Sequence, residues 1–232
     1  MAQNPTVVTE AGLVRGRNID GISEYRGIPF GSVERFEPPQ KVKPWDSVLD
    51  CTQSYSYPQN TEFTKRGFRY LPKPNDFETL KFSGEHELRL CIYAPENAKK
   101  LPVMVYIHGG SYINGGPAEY PGKNELIKRG DIVLVSIQYR LGILGFFSYE
   151  KDSEIFGNFG LQDQLFALAW VKRNIKNFGG NAENITIFGE SAGSFSVDTL
   201  VRSPKSHSLF HKAIDAVFSY NIAAVGSNFY QM

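Results

Sequence analysis

Short apolar runs, separated by segments of helical or no period, dominate the pattern along this chain. Four of them stand out: Leu88-Arg89-Leu90-Cys91-Ile92-Tyr93, Val103-Met104-Val105-Tyr106-Ile107, Ile132-Val133-Leu134-Val135-Ser136-Ile137 and Ile185-Thr186-Ile187-Phe188. They are rich in branched and aromatic residues with little polar alternation, which predicts strands buried on both faces. Between the third and fourth runs, Leu161, Leu165, Leu168, Ala169 and Ile175 recur at the spacing of a helix face. Buried strand, helix, buried strand predicts an α/β fold built on a mostly parallel central sheet with helices on both faces. Gly179-Gly180 closes that helix where a left-handed cap is needed.

The first 50 residues have a different rhythm. Thr6 to Thr9, Gly12 to Arg15 and Ile22 to Phe30 are short extended pieces punctuated by Gly16, Gly21, Gly27 and Gly31, and small antiparallel strands are expected there. From Asn60 to Phe82 the chain is polar and proline-marked without a period, which predicts a long surface loop. Near the other end, Ser194 to Val201 can run as a helix and Phe210-His211-Lys212-Ala213-Ile214 has a helix-like pattern.

Composition narrows the function classes. The 232 residues are enough for one large α/β domain and hold 25 Lys plus Arg against 24 Asp plus Glu, a formal charge of +1. No strong field exists to hold nucleic acid or an acidic membrane. Hydrophobic residues at 41% and aromatics at 13% describe a chain that folds around an apolar core, not a disordered one. No stretch reaches the roughly 18 apolar residues of a spanning helix, and nothing ahead of Glu10 reads as an export leader. With two cysteines, Cys51 and Cys91, read as buried thiols, a soluble chain in the cytoplasm is the expectation.

The candidate chemistry lies in Phe188-Gly189-Glu190-Ser191-Ala192-Gly193. A Gly-x-Ser-x-Gly turn between a buried strand and a helix puts its serine on a sharp bend, and Gly189 and Gly193 leave room where the two backbones crowd. The following helix aims unpaired amides and its positive dipole end at Ser191, so the Ala192 amide can bind an oxyanion. A second half of that site follows the strand at 103–107, in His108-Gly109-Gly110-Ser111, where the paired glycines let the amides of Gly109 and Gly110 turn into a pocket.

Several motifs together resemble the type-B carboxylesterase family of α/β-hydrolases, which has cholinesterase-like relatives. They are Arg26-Gly27-Ile28-Pro29-Phe30, Arg35-Phe36, Tyr106-Ile107-His108-Gly109-Gly110, Gln138-Tyr139-Arg140-Leu141-Gly142, Gly157 to Gln164, Phe178-Gly179-Gly180 and the turn at 189–193. The resemblance runs from about Val8 to Ile214. It implies hydrolysis of a small-molecule carboxylic ester through an acyl-enzyme on Ser191, with Gly109, Gly110 and Ala192 as oxyanion donors and no metal or cofactor. It also implies a structural ion pair between Arg140 and Asp163 beneath the site and a structural role for His108 in holding the glycine loop. Tyr57 and Glu87 stand where the family's first disulfide would need cysteines.

In α/β-hydrolases the triad acid and histidine follow the serine on later strand loops, yet 41 residues follow Ser191 here. The expectation is therefore a single incomplete domain over residues 1–232, cut after its nucleophile half, with acid and base missing and the chain alone nearly inert. An exposed sheet edge would then invite self-association. The alternative is an inert or binding member of the same fold. His86, His207 and His211 are read as surface or packing residues, Glu190 as pointing away from its neighbour Ser191, and Asp198 as a helix-surface charge. Asn184-Ile185-Thr186 matches a glycosylation acceptor at the mouth of a buried strand, and Phe146-Phe147 with Tyr149 either line an acyl pocket or pack in the core.

Overall fold

A computed structural model describes residues 4–53, 55–56, 81–82, 85–117 and 123–216. The N-terminal rhythm gives β1 (Thr6–Val8), β2 (Leu13–Arg15), β3 (Arg17–Ile19) and β4 (Ile22–Ser32). β5 (Leu49–Asp50) joins β1 and β2 in a small sheet, and β6 (Tyr55–Ser56) pairs in parallel with β7 (Lys81–Phe82). Apart from those last two residues, the loop expected over 60–82 lies outside the described residues.

The buried runs become β8 (Glu87–Pro95), β9 (Leu101–Ile107), β10 (Val133–Ile137) and β13 (Gly180–Glu190). A hairpin of β11 (Tyr149–Lys151) and β12 (Glu154–Phe156) stands apart, and β14 (Lys212–Ala216) closes the described chain. The central sheet has seven strands in the order β14-β13-β9-β10-β8-β4-β3. β14, β13, β9 and β10 run parallel, whereas β8, β4 and β3 add on in antiparallel pairs. β8 carries the same continuous apolar run as its parallel neighbours because helices cover both of its faces, so its pattern holds no information about direction. The segment read as helix-like around Lys212 is a strand: five residues are too few to separate a period of 2 from one of 3.6, and the open edge of β13 recruits them. Among the described residues the outer edge of β14 pairs with no strand.

Side-chain alternation along β9 sorts the core into two layers. Val103, Val105 and Ile107 face the helices Phe159–Asn174 and Ala192–Arg202 through Leu168, Val171, Val197 and Leu200. Tyr106 faces the other way and packs with Phe188, Leu134, Tyr93 and Ile127 of the helix Lys123–Gly130. The chain goes from β9 to β10 across one face and from β10 back past β9 to β13 across the other, which keeps both parallel crossovers right-handed. The direction of winding therefore reverses at β9, and the loops after β9 and β13 leave the sheet side by side at their C-terminal ends.

Two further expectations hold in detail. Gly179, at φ +83°, caps the turn Ile175–Phe178 that ends the long helix, with its N–H bonded to Ile175 O. Cys51 and Cys91 are both buried thiols, and burial pushes the Cys51 thiol up to about 12. No helix among the described residues is long and apolar enough to cross a membrane.

Candidate active site

The register between β9 and β13 builds the site. Ile107 pairs with Gly189, so His108 and Gly109 emerge opposite Glu190 and Ser191. Ser191 is held at φ 56° and ψ −120°, a conformation that L-residues rarely adopt and that persists only where surrounding structure enforces it. The enforcement is visible in the glycines. A β-carbon on Gly189 would overlap the backbone of Gly193, and one on Gly193 would overlap Ile107 O, so strand, turn and helix are in backbone contact. A β-carbon on Gly109 would lie 2.6 Å from Glu190 O and 3.2 Å from Ser191 Cβ, which places the glycine loop directly against the bend at Ser191.

Ala192, 4% exposed, opens the helix Ala192–Arg202, whose first amides have no partner inside the helix. Gly110, at φ +104°, turns the loop, and its carbonyl accepts from Ile113 N at 3.0 Å and Asn114 N at 3.1 Å. The structure thus sets Gly109 against Ser191, with Gly110 and Ala192 next to them along the chain.

His108 lies beneath this loop. It is 1% exposed, its ring stacks on Tyr139 at 4.3 Å, and Nδ1 donates to Gly109 O at 2.8 Å, while Nε2 is buried with no hydrogen-bond partner. Burial pulls its pKa down to about 4, against the opposing effect of the Gly109 carbonyl, so the ring is neutral at pH 7. Tyr139 also donates to His108 O at 2.7 Å. His108 supports the loop and makes no bond to Ser191.

Arg140 and Asp163 form a fully buried pair. Arg140 gives Nε to Asp163 Oδ2 at 2.8 Å and a terminal nitrogen to Oδ1 at 2.7 Å, and its own backbone N–H to Oδ2 at 2.9 Å. Its other terminal nitrogen donates to Glu34 O at 3.1 Å and Glu37 O at 2.8 Å, tying the segment around Phe36 to the end of β10. Burial pushes the Asp163 carboxyl up, to about 6, and the three bonds from Arg140 pull it back toward the charged form.

All four histidines of the sequence are placed. His211 Nδ1 accepts from Ile185 N at 3.1 Å, which puts it beside the middle of β13, roughly 20 Å along the strand from Ser191. His207 is exposed in a turn, and His86 bonds Val33 O at 3.2 Å on the surface. None of the four is hydrogen-bonded to Ser191. Glu190 departs from expectation: its Oε2 would be 2.9 Å from a β-carbon on Gly109, so its carboxylate borders the glycine loop instead of turning away, because the bend at Ser191 breaks the strand alternation on which the expectation rested. Asp198 bridges Arg202 one turn on at 3.0 Å, and Asn184 Oδ1 accepts from Lys212 Nζ at 3.2 Å. Phe146 packs against the core, 4.4 Å from Tyr112, whereas Phe147 is 44% exposed and Tyr149 stacks on Phe156. No group of three or more His, Cys, Asp or Glu among the described residues could hold a metal ion.

A family profile described as the carboxylesterase family matches residues 3–220 of this chain. The chain belongs to the carboxylesterase family. Carboxylesterase 1D of Rattus norvegicus is 45% identical over 228 residues, which cover 90% of this chain and 39% of that protein. The para-nitrobenzyl esterase of Bacillus subtilis strain 168 is 37% identical over 217 residues, covering 90% of this chain and 42% of its own length. Among solved structures, a thermophilic PNB esterase superposes with a TM-score of 0.80 at 35% identity, covering 92% of this chain and 44% of that one. The fold is that of the α/β-hydrolases, and this carboxylesterase-family chain spans about two fifths of the length of the curated relatives it matches.

Sequence reasoning missed Tyr112, Ser196 and Gln164. Ser196 Oγ donates to Tyr112 Oη at 3.2 Å and accepts from Gln164 Nε2 at 3.0 Å. Ser196 stands 84 residues from Tyr112 and 32 from Gln164, and no local period connects them.

Proposed function

We propose that this chain carries the nucleophile and oxyanion site of a serine carboxylic ester hydrolase, with proton transfer supplied from outside its 232 residues. The bend at Ser191 with Gly109 packed against it is the observation that carries the proposal. Ser191 Oγ adds to the ester carbonyl, whose oxygen gains negative charge in front of the amides of Gly109, Gly110 and Ala192. Collapse of that intermediate breaks the bond to the alcohol and leaves an acyl-Ser191, which water then cleaves. In each half, one proton must pass from the attacking oxygen to a base and on to the leaving oxygen. His108 is too weak a base and turned away, and the other three histidines are remote. Without a base, turnover falls by about a millionfold, leaving what binding and the oxyanion amides provide.

The placing of the four histidines, none bonded to Ser191, favours a second reading, in which the chain is a non-catalytic relative. Imidazole in solution, standing in for the missing base, separates the two. The purified chain is incubated with p-nitrophenyl acetate with and without imidazole, and acylated residues are located by mass spectrometry. The expected result is imidazole-dependent acylation of Ser191 that disappears in Ser191→Ala. Acylation confined to surface lysines, identical in both proteins, would remove Ser191 as the nucleophile and leave the non-catalytic reading.

A further inference from the structure

We propose that Tyr112 is a positioning residue whose hydroxyl pins the glycine loop to the helix behind Ser191. The inference rests on the reading of Ser191 as nucleophile, and it concerns how the two halves of the oxyanion site stay in register. Gly109 and Gly110 belong to the loop after β9, whereas the Ala192 amide belongs to the helix after β13. Amides on separate elements stabilise one oxyanion only when their spacing is held to a fraction of an ångström.

The loop has its own bonds and others toward β10. Gly110 O accepts from Ile113 and Asn114, Tyr139 donates to His108 O, and Gly142 N donates to Tyr112 O at 2.6 Å. The bond from Ser196 Oγ to Tyr112 Oη is different in kind, because it crosses from the helix Ala192–Arg202 to the loop. Ser196 and Gln164 are both 0% exposed and Tyr112 is partly buried, so the helix side of this link lies away from water. The Gln164 amide gives its N–H to Ser196 Oγ, which leaves the serine hydrogen to point at the phenol, and Gln164 Oε1 stays buried without a partner to allow it. A third element, the helix Phe159–Asn174, is thereby drawn into the same tie.

Tyr112 is also held in a costly backbone conformation, φ +59°, uncommon for a bulky residue. Its ring sits 4.4 Å from Phe146 and 6.4 Å from Tyr139, which explains why an aromatic residue is there but not why it carries a hydroxyl. The bond to Ser196 supplies that reason.

Tyr112→Phe keeps the ring and removes the tie. In the 232-residue chain, amide hydrogen exchange over residues 108–115 is expected to quicken about tenfold, with β9 and β13 unchanged, and imidazole-dependent acylation of Ser191 to slow by about the same factor. Ser196→Ala removes the same bond and also the one from Gln164, so it should show at least the same two effects, and adding Tyr112→Phe to it should change nothing further. Exchange in 108–115 within twofold of the parent, or a gain spread equally over the sheet, overturns the proposal. If the parent is not acylated at Ser191, the nucleophile reading falls, and the exchange measurement still decides whether the pin exists.

Discussion

Gly109 and Ser191 face each other across the gap between two parallel strands with no room for a side chain on the glycine: one methyl group on Gly109 would sit 3.2 Å from the serine β-carbon. It would also press on the carbonyl oxygen of Glu190 at 2.6 Å, and a peptide oxygen cannot swing aside as a side-chain end can.

Gly109→Ala therefore forces the loop away from Ser191, the proposed nucleophile. We expect a loss of about 1–3 kcal/mol in folding stability from the overpacking and roughly a hundredfold slower imidazole-dependent acylation of Ser191 from the displaced amides. Urea unfolding and the mass-spectrometric assay read the two effects separately. Acylation at the parent rate would show that the loop amides do not face the reacting carbonyl.

His108 makes stability depend on pH with a definite sign. Its pKa falls from 6.5 in the unfolded chain to about 4 in the fold, so between those values the unfolded state binds the extra proton. The stability this neutral ring allows is complete above pH 6.5 and drains away as pH falls toward 4. Going from pH 7.5 to 5 should cost about 2 kcal/mol from this residue. His108→Gln, which cannot titrate, should show a correspondingly flatter urea midpoint over that range, and an equal slope in both proteins would refute the assignment.

Arg140 and Asp163 are worth more together than apart. Asp163→Asn leaves a buried guanidinium without its counter-charge, an expected loss of about 3–5 kcal/mol. Replacing both, Arg140→Met with Asp163→Leu, should cost less than Asp163→Asn alone despite the lost bonds to Glu34 and Glu37. Thermal unfolding of the single and double variants measures the coupling. Strict additivity would mean that the pair contributes little beyond filling space.

What the sequence reveals about this fold depends on how local the determining physics is. The turn at 189–193 is legible because its glycines answer to a bend made by neighbouring residues, and Gly179 because a helix end needs a positive φ at that point. The direction of β8 is not legible, since burial on both faces writes the same apolar run whichever way the strand points. Lys212–Ala216 becomes a strand because β13 offers an open edge, a fact about the partner and not about those five residues. Glu190 is misread for a related reason: an alternation argument fails at the residue where the chain stops being a strand. The contact between Tyr112 and Ser196 is settled by the packing of three elements that meet only in the assembled core.

Because the backbone sets the bend at Ser191, the place of its β-carbon owes nothing to whichever group takes its proton. Steric exclusion at Gly189 and Gly193 fixes the bend from within the chain, so the serine and the amides proposed to serve it are held together without a base. On the proposed reading, a proton acceptor brought to Ser191, whether a small molecule or a side chain from another polypeptide, would find the bend already formed and would need only to arrive.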